Sequence, residues 1–155
     1  MAASLNTYKE KVGLLEKSFP GISNNFRFFL KKALKYSDSI IILNDDVDIL
    51  DYEVEKIENF IESTKNKIPI EYILNEAEFY GRDFYVDNRV LIPRDETEIL
   101  IDILKNYHQQ KYLNVIDLGT GSGCIAISIA LEIPEANVIG VDKFINALDI
   151  ATKNK

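Results

Sequence analysis

Val115-Ile-Asp-Leu-Gly-Thr-Gly-Ser-Gly123 is the stretch that decides how this chain folds. Tyr112–Leu118 has strand character, the alternate glycines form a loop, and the apolar run Cys124–Leu131 reads as a helix before a second strand at Asn137–Val141. Strand, loop, helix, strand is a βαβ unit, for which right-handed parallel pairing is expected. Glycines at alternate positions remove the Cβ atoms that would keep a ligand from the backbone. In open α/β sheets ligands bind where strands reach their carboxyl ends, and helix-start N–H groups there are expected to offer donors to carboxylates or phosphates. The loop is a binding site by position and by composition.

Three ligand types compete for it. A phosphate-loop NTPase needs Lys-Ser or Lys-Thr after the last glycine, and Cys124-Ile125 stands there instead. A dinucleotide fingerprint fits better, because Gly121, Gly123 and Ala126 satisfy G-x-G-x-x-A and Asp142 lies at the spacing of a ribose contact. The register argues against it: Asp117 and Gly119 precede the first glycine of that fit, whereas a dinucleotide loop places its first glycine directly after the strand. An acidic residue at the strand end is better used on an amino group. S-adenosylmethionine has one, together with a sulfonium charge and a ribose diol, and lacks a pyrophosphate. Asp117 is then expected to serve its ammonium, Gly119, Thr120, Gly121, Ser122 and Gly123 its methionine moiety, and Asp142 its ribose hydroxyls. Singly, Asp117 reads equally well as a loop-closing carboxylate and Asp142 as a polar strand end. Together, 25 residues apart across one βαβ unit, they favour binding.

Towards the amino terminus the pattern is helical. Leu5, Tyr8, Val12, Leu15 and Phe19 share one face of a helix that Pro20-Gly21 ends. Phe26, Phe29, Leu30, Ala33 and Leu34 mark a second, with Arg27, Lys31, Lys32 and Lys35 mainly opposite. Ile40–Leu43 is read as a helical turn, and Leu50, Val54, Ile57 and Ile61 trace a further helix ending near Lys65-Asn66. Residues 1–66 thus read as a small helical bundle. Glu78–Val86, with Gly81-Arg82 at its centre, reads as a hairpin. Asp95 precedes Glu98 by three residues, so a capped helix from about Glu96 to Asn106 is expected, with Glu98 reaching back.

Composition sets outer limits. Of 155 residues, 46% are hydrophobic and 28% charged, enough for a packed core, and the length suits one small domain plus part of another. A net charge of −7 argues against a broad grip on nucleic-acid phosphates. The lone Cys124 forms no internal disulfide, and no cluster has metal-ligand spacing. The amino terminus lacks a basic segment followed by an apolar run, and nothing approaches a membrane span, so a cytoplasmic location is expected. The remaining candidates have ordinary readings. His108, the only histidine, suits a surface or capping place, and Cys124 a small packing residue. Asp45-Asp46-Val47-Asp48 with Asp51 lacks the glycine and terminal glutamate of a calcium loop. Phe26, Phe28 and Phe29 form a stripe that suits a core.

Pro69-Ile-Glu-Tyr-Ile73, Glu78-Phe-Tyr-Gly-Arg82 with Phe84 and Val86, Val90-Leu-Ile-Pro-Arg94, Glu96-Thr-Glu98 and the glycine loop form one set. It resembles that of the bacterial-type glutamine methyltransferases that modify peptide chain release factors (the PrmC/HemK family). The loop alone resembles methyltransferases in general, and the Glu78–Glu98 block carries the likeness to this family. It implies an α/β fold with an N-terminal helical bundle for substrate recognition over 1–75. A β-hairpin linker is implied over 76–94, and the βαβ start of a class I, Rossmann-like methyltransferase domain over 95–155. It also implies S-adenosylmethionine as cofactor, a release factor as protein partner, and methylation of the glutamine amide in a Gly-Gly-Gln motif. The family's Asn-Pro-Pro-Tyr motif, which positions that glutamine, would lie after Lys155, so no catalytic residue is expected within the chain and it is expected to be inactive alone. Departures from the family pattern are Glu71 for Gln, Asn75 for Gly and Asp95 for Pro. Phe28 is the bundle residue to watch for release-factor docking. Two other readings stand beside this one: a stand-alone protein-binding helical module, and an NAD-binding Rossmann domain. Uncovered sheet edges also predict self-association.

Overall fold

A computed structural model describes residues 4–42, 47–107 and 112–155, so His108 and Asp45-Asp46 lie outside the described residues. The chain divides into two compact units, Met1–Leu74 and Asn75–Lys155.

The first unit is helical: α1 (Leu5–Leu15), α2 (Ile22–Ala33), α3 (Asp38–Ile42), α4 (Asp51–Lys65) and α5 (Ile70–Leu74). The Ser4 hydroxyl accepts from the Thr7 N–H at 3.3 Å and caps α1. This helix stops at Leu15, short of the expected Phe19, and Glu16 follows as its C-cap. Its carboxylate accepts from the backbone N–H of Gly21 at 2.6 Å and of Ser23 at 2.9 Å, closing the turn and supplying the cap that Gly21 cannot. The Ser23 hydroxyl and those two N–H groups hold the Glu16 carboxyl below its ordinary range. At α4 the buried Glu53 carboxylate accepts from Leu50 N–H at 2.8 Å. Burial first, and then the same carboxylate, push the Tyr36 hydroxyl up to about 12. The core is aromatic at its centre, with the Phe29 and Phe60 rings 4.8 Å apart and Phe26 and Phe60 5.5 Å apart. Leu5, Leu30, Ile57 and Ile61 close around them, each such burial contributing about 1.5–3 kcal/mol. Phe28 is 46% exposed, on the side away from that core, with the Lys32 ammonium 5.8 Å from its ring.

The second unit opens at Asn75, whose backbone takes φ 54°. Asparagine tolerates this left-handed region better than most residues, and its side-chain amide also donates to the Val86 carbonyl at 3.1 Å. The antiparallel strands β1 (Ala77–Phe79) and β2 (Arg82–Phe84) pair Ala77 with Phe84 and Phe79 with Arg82. The two-residue turn between them, Tyr80-Gly81, has φ of 51° and 68°. Such a turn matches strand twist but is costly for a bulky first residue. The surroundings hold it: Tyr80 N–H donates to Glu98 at 2.7 Å, and its hydroxyl donates to Asp102 at 2.7 Å and accepts from Lys105 at 3.2 Å.

This arrangement overturns the capped helix expected at Asp95. Residues Asp95–Glu98 form a 3₁₀ turn begun by Arg94, which makes no side-chain cap, and α6 runs from Ile99 to Tyr107. Glu98 reaches Tyr80 rather than back along its own helix, so a tertiary hydrogen bond has displaced the local capping box.

Parallel strands β3 (Leu113–Leu118) and β4 (Ala136–Val141) flank α7 (Cys124–Glu132), and Asp117 stands opposite Gly140 in their register. The helix α8 (Ile145–Asn154) follows; the reading of the sequence had not separated it. Phe79, Phe84, Ile101, Cys124, Ile129 and Ile133 form the core of this unit, with Val115 and Val138 packed against it. Ile116, Leu118, Ile139 and Val141, at the intervening strand positions, are exposed. Burial pushes the Cys124 thiol up, which fits packing rather than reactivity. Among the described residues no helix is long and apolar enough to cross a membrane.

Candidate functional site

Strands β3 and β4 end side by side, and their last residues bring Asp117 and Asp142 to the two flanks of the glycine loop. Gly119, Gly121 and Gly123 all take left-handed φ, of 79°, 54° and 81°. At Gly123 the freedom is required twice over, because a Cβ would also stand 3.1 Å from those of Ala151 and from Ile127 Cδ1. Gly119 differs, since a Cβ there would meet nothing within 4 Å, so its backbone faces open space.

Each predicted site residue has a definite place. Thr120 and Ser122 are buried, so their side chains lie beneath the loop. The Thr120 hydroxyl donates to one Asp117 oxygen at 2.7 Å, which aims that carboxylate. Asp142 accepts from Gly121 N–H and from Phe144 N–H, each at 3.0 Å. These backbone donors, Phe144 foremost, hold its carboxyl below the ordinary range.

The loop amides ahead of α7 are used within the fold: Gly119 and Thr120 both donate to the Val141 carbonyl at 2.8 and 3.0 Å, and Gly123 donates to Thr120 at 2.8 Å. With Gly121 bound to Asp142, four of the five amides from Gly119 to Gly123 are satisfied internally. None of the described hydrogen bonds ends on the Gly119 carbonyl. Among the described residues no group of three or more His, Cys, Asp or Glu side chains is arranged to hold a metal ion.

Two residues of the site were missed in the sequence. Gly140 lies so close to Thr120 that a Cβ would stand 2.7 Å from its Oγ1. Asn154, in the last turn of α8, joins the loop through the Ser122 carbonyl at 2.8 Å. Neither belongs to a local pattern; only the register of β4 and the packing of α8 bring them in.

Comparison with known proteins supplies the relatives of this arrangement. Residues 95–155 match the family described as methyltransferase small domain. A release factor glutamine methyltransferase of Streptococcus pneumoniae is 33% identical over 99% of this chain and 54% of its own length. One from Flavobacterium psychrophilum is 41% identical over 74% of this chain and 41% of its own. Over nearly its whole length the chain is similar to release factor glutamine methyltransferases. A bifunctional methyltransferase of Rickettsia bellii is also similar, 34% identical over 86% of the chain and 30% of that protein. The chain thus spans between 30% and 54% of the length of these three relatives. The match over residues 95–155 implies the class I, Rossmann-like methyltransferase fold, of which β3, α7 and β4 form one βαβ unit.

Proposed function

We propose that the glycine loop binds S-adenosylmethionine, with Asp117 and the Gly119 carbonyl receiving the ammonium group. The Gly119–Gly123 backbone would lie along the methionine moiety and Asp142 at the ribose hydroxyls. The carboxylate of Asp117, aimed by the Thr120 hydroxyl at the end of β3, carries this reading. A pyrophosphate at the loop would meet that like charge, whereas an ammonium is attracted by it. An ammonium needs acceptors, which the strand-end carboxylates supply. The buried Thr120 and Ser122 take part through their backbones, and Thr120 Oγ1 by aiming Asp117.

The cofactor would supply an electrophilic methyl group on sulfur. The proposed acceptor is the side-chain amide nitrogen of the glutamine in a release factor Gly-Gly-Gln motif. That nitrogen is a weak nucleophile, so in-line positioning is the main requirement. The sequence Asn-Pro-Pro-Tyr does not occur in the 155 residues, and no residue here is assigned to the amide. Residues 1–75 are proposed to recognise the protein substrate, with exposed Phe28 on their surface.

Titration calorimetry of the chain with S-adenosylmethionine and with NAD tests the cofactor. Binding of the first alone is expected, and binding of NAD alone would overturn the reading. Mass spectrometry of a release factor treated with the Streptococcus pneumoniae relative tests the acceptor, where a gain of one methyl on the Gly-Gly-Gln glutamine is expected.

A further inference from the structure

We infer that Asn154 is a positioning residue that sets the far half of the glycine loop and locks it to the segment leaving β2. The inference rests on the reading of the loop as a cofactor site. One side-chain amide makes three hydrogen bonds: Nδ2 donates to the Ser122 carbonyl at 2.8 Å and to the Tyr85 carbonyl at 2.9 Å, while Oδ1 accepts from Tyr85 N–H at 2.7 Å. Both donors and the acceptor are engaged, so the group has one orientation.

The near half of the loop is tied by Thr120 to Asp117 and by Gly121 to Asp142. Asp142 also caps its own following turn through Phe144. At Ser122 the tie is Asn154, and the tie is direct to a residue that is only 2% exposed. The double hydrogen bond to Tyr85 works like a strand pairing made by a side chain, and the Lys153 ammonium lies 3.0 Å from the centre of the Tyr85 ring. A small rotation of α8 would therefore move Tyr85 and Ser122 together.

The test uses amide hydrogen exchange by NMR, with the 155-residue chain and its Asn154→Ala and Asn154→Asp variants. In Asn154→Ala, protection at Gly121 and Gly123 is expected to fall about tenfold or more, the effect of losing neutral hydrogen bonds. Affinity for S-adenosylmethionine should fall by a similar factor. At pH 7 Asn154→Asp keeps the acceptor for Tyr85 N–H but faces two carbonyls with a carboxylate. It should lose loop protection and recover it as the pH falls towards about 4, where the acid regains an O–H donor. A purely structural helix-end role gives no such recovery. Unchanged Gly121 and Gly123 protection in Asn154→Ala, or an Asn154→Asp variant without pH dependence relative to the unsubstituted chain, would overturn the inference. If circular dichroism shows that Asn154→Ala has lost α8, the Asn154→Asp comparison decides. Should the unsubstituted chain bind no S-adenosylmethionine while the exchange behaves as expected, the cofactor reading falls and the positioning role stands.

Discussion

Gly140 on β4 presses against Thr120, so closely that a Cβ at position 140 would stand 2.7 Å from Thr120 Oγ1 and 3.3 Å from its Cγ2. The bare backbone there lets the threonine lie flat beneath the loop and hold Asp117 at 2.7 Å. Gly140→Ala is expected to cost about 1–3 kcal/mol of stability, as overpacking does, and to weaken S-adenosylmethionine binding. Adding Thr120→Ala removes Oγ1, the closest atom, together with Cγ2, and leaves only the Cβ at 3.1 Å, so the double variant should cost less than the sum of the single ones. Urea unfolding of the four proteins measures that coupling, and strict additivity would refute the clash.

Acid should act on the loop through Asp142. Its carboxyl is held below the ordinary range by the Phe144 and Gly121 N–H groups. A depressed folded value means stability that is fully present above the unfolded value, about 3.9, and is lost as pH falls through the folded one. The melting-temperature gap between the unsubstituted chain and Asp142→Asn is expected to be widest at neutral pH and to shrink below about pH 4. A gap that stays constant from pH 7 to pH 3 counts against this.

Asn75 combines a φ of 54° with a hydrogen bond to Val86. Asn75→Gly keeps the backbone and loses the bond, so only a small change in melting temperature is expected. Asn75→Ala loses the bond and meets the left-handed strain, at a cost of about 1–2 kcal/mol. Equal melting temperatures for the two variants would show that φ is not what selects the residue.

The turn at Tyr80 depends on Glu98. Glu98→Gln retains an acceptor for the Tyr80 N–H and should be mild. Glu98→Ala leaves that donor without its carboxylate and should cost about 1–3 kcal/mol, with faster exchange at the Tyr80 amide. If alanine and glutamine behave alike, the turn is held by its hydroxyl contacts to Asp102 and Lys105 instead.

Periodicity made the helices of the first unit and the βαβ unit legible, because Phe26, Phe29, Leu30, Ile57 and Ile61 repeat at helical spacing and all point inward. It failed where a side chain has a distant partner. Glu16, the residue after α1, turns its carboxylate to the start of α2, and Glu98 reaches Tyr80 instead of its own turn. The glycine loop announced a site, and the commitment of four of its five amides to Val141, Asp142 and Thr120 is a fact of folded geometry that residue types alone do not carry. The whole-chain resemblance pointed at Asn75, and its positive φ explains why asparagine can stand where the family usually has glycine.

The bonds of Asn154 also bear on the order of assembly. A ribosome makes Ser122 32 residues, and Tyr85 69 residues, before the amide that joins them. Once Asp142 is made the loop has its glycines and its aspartates, and the last clasp is still 12 residues away. The tie at Ser122 is therefore timed to the completion of α8, and a chain that stops short of Asn154 would have the loop without it.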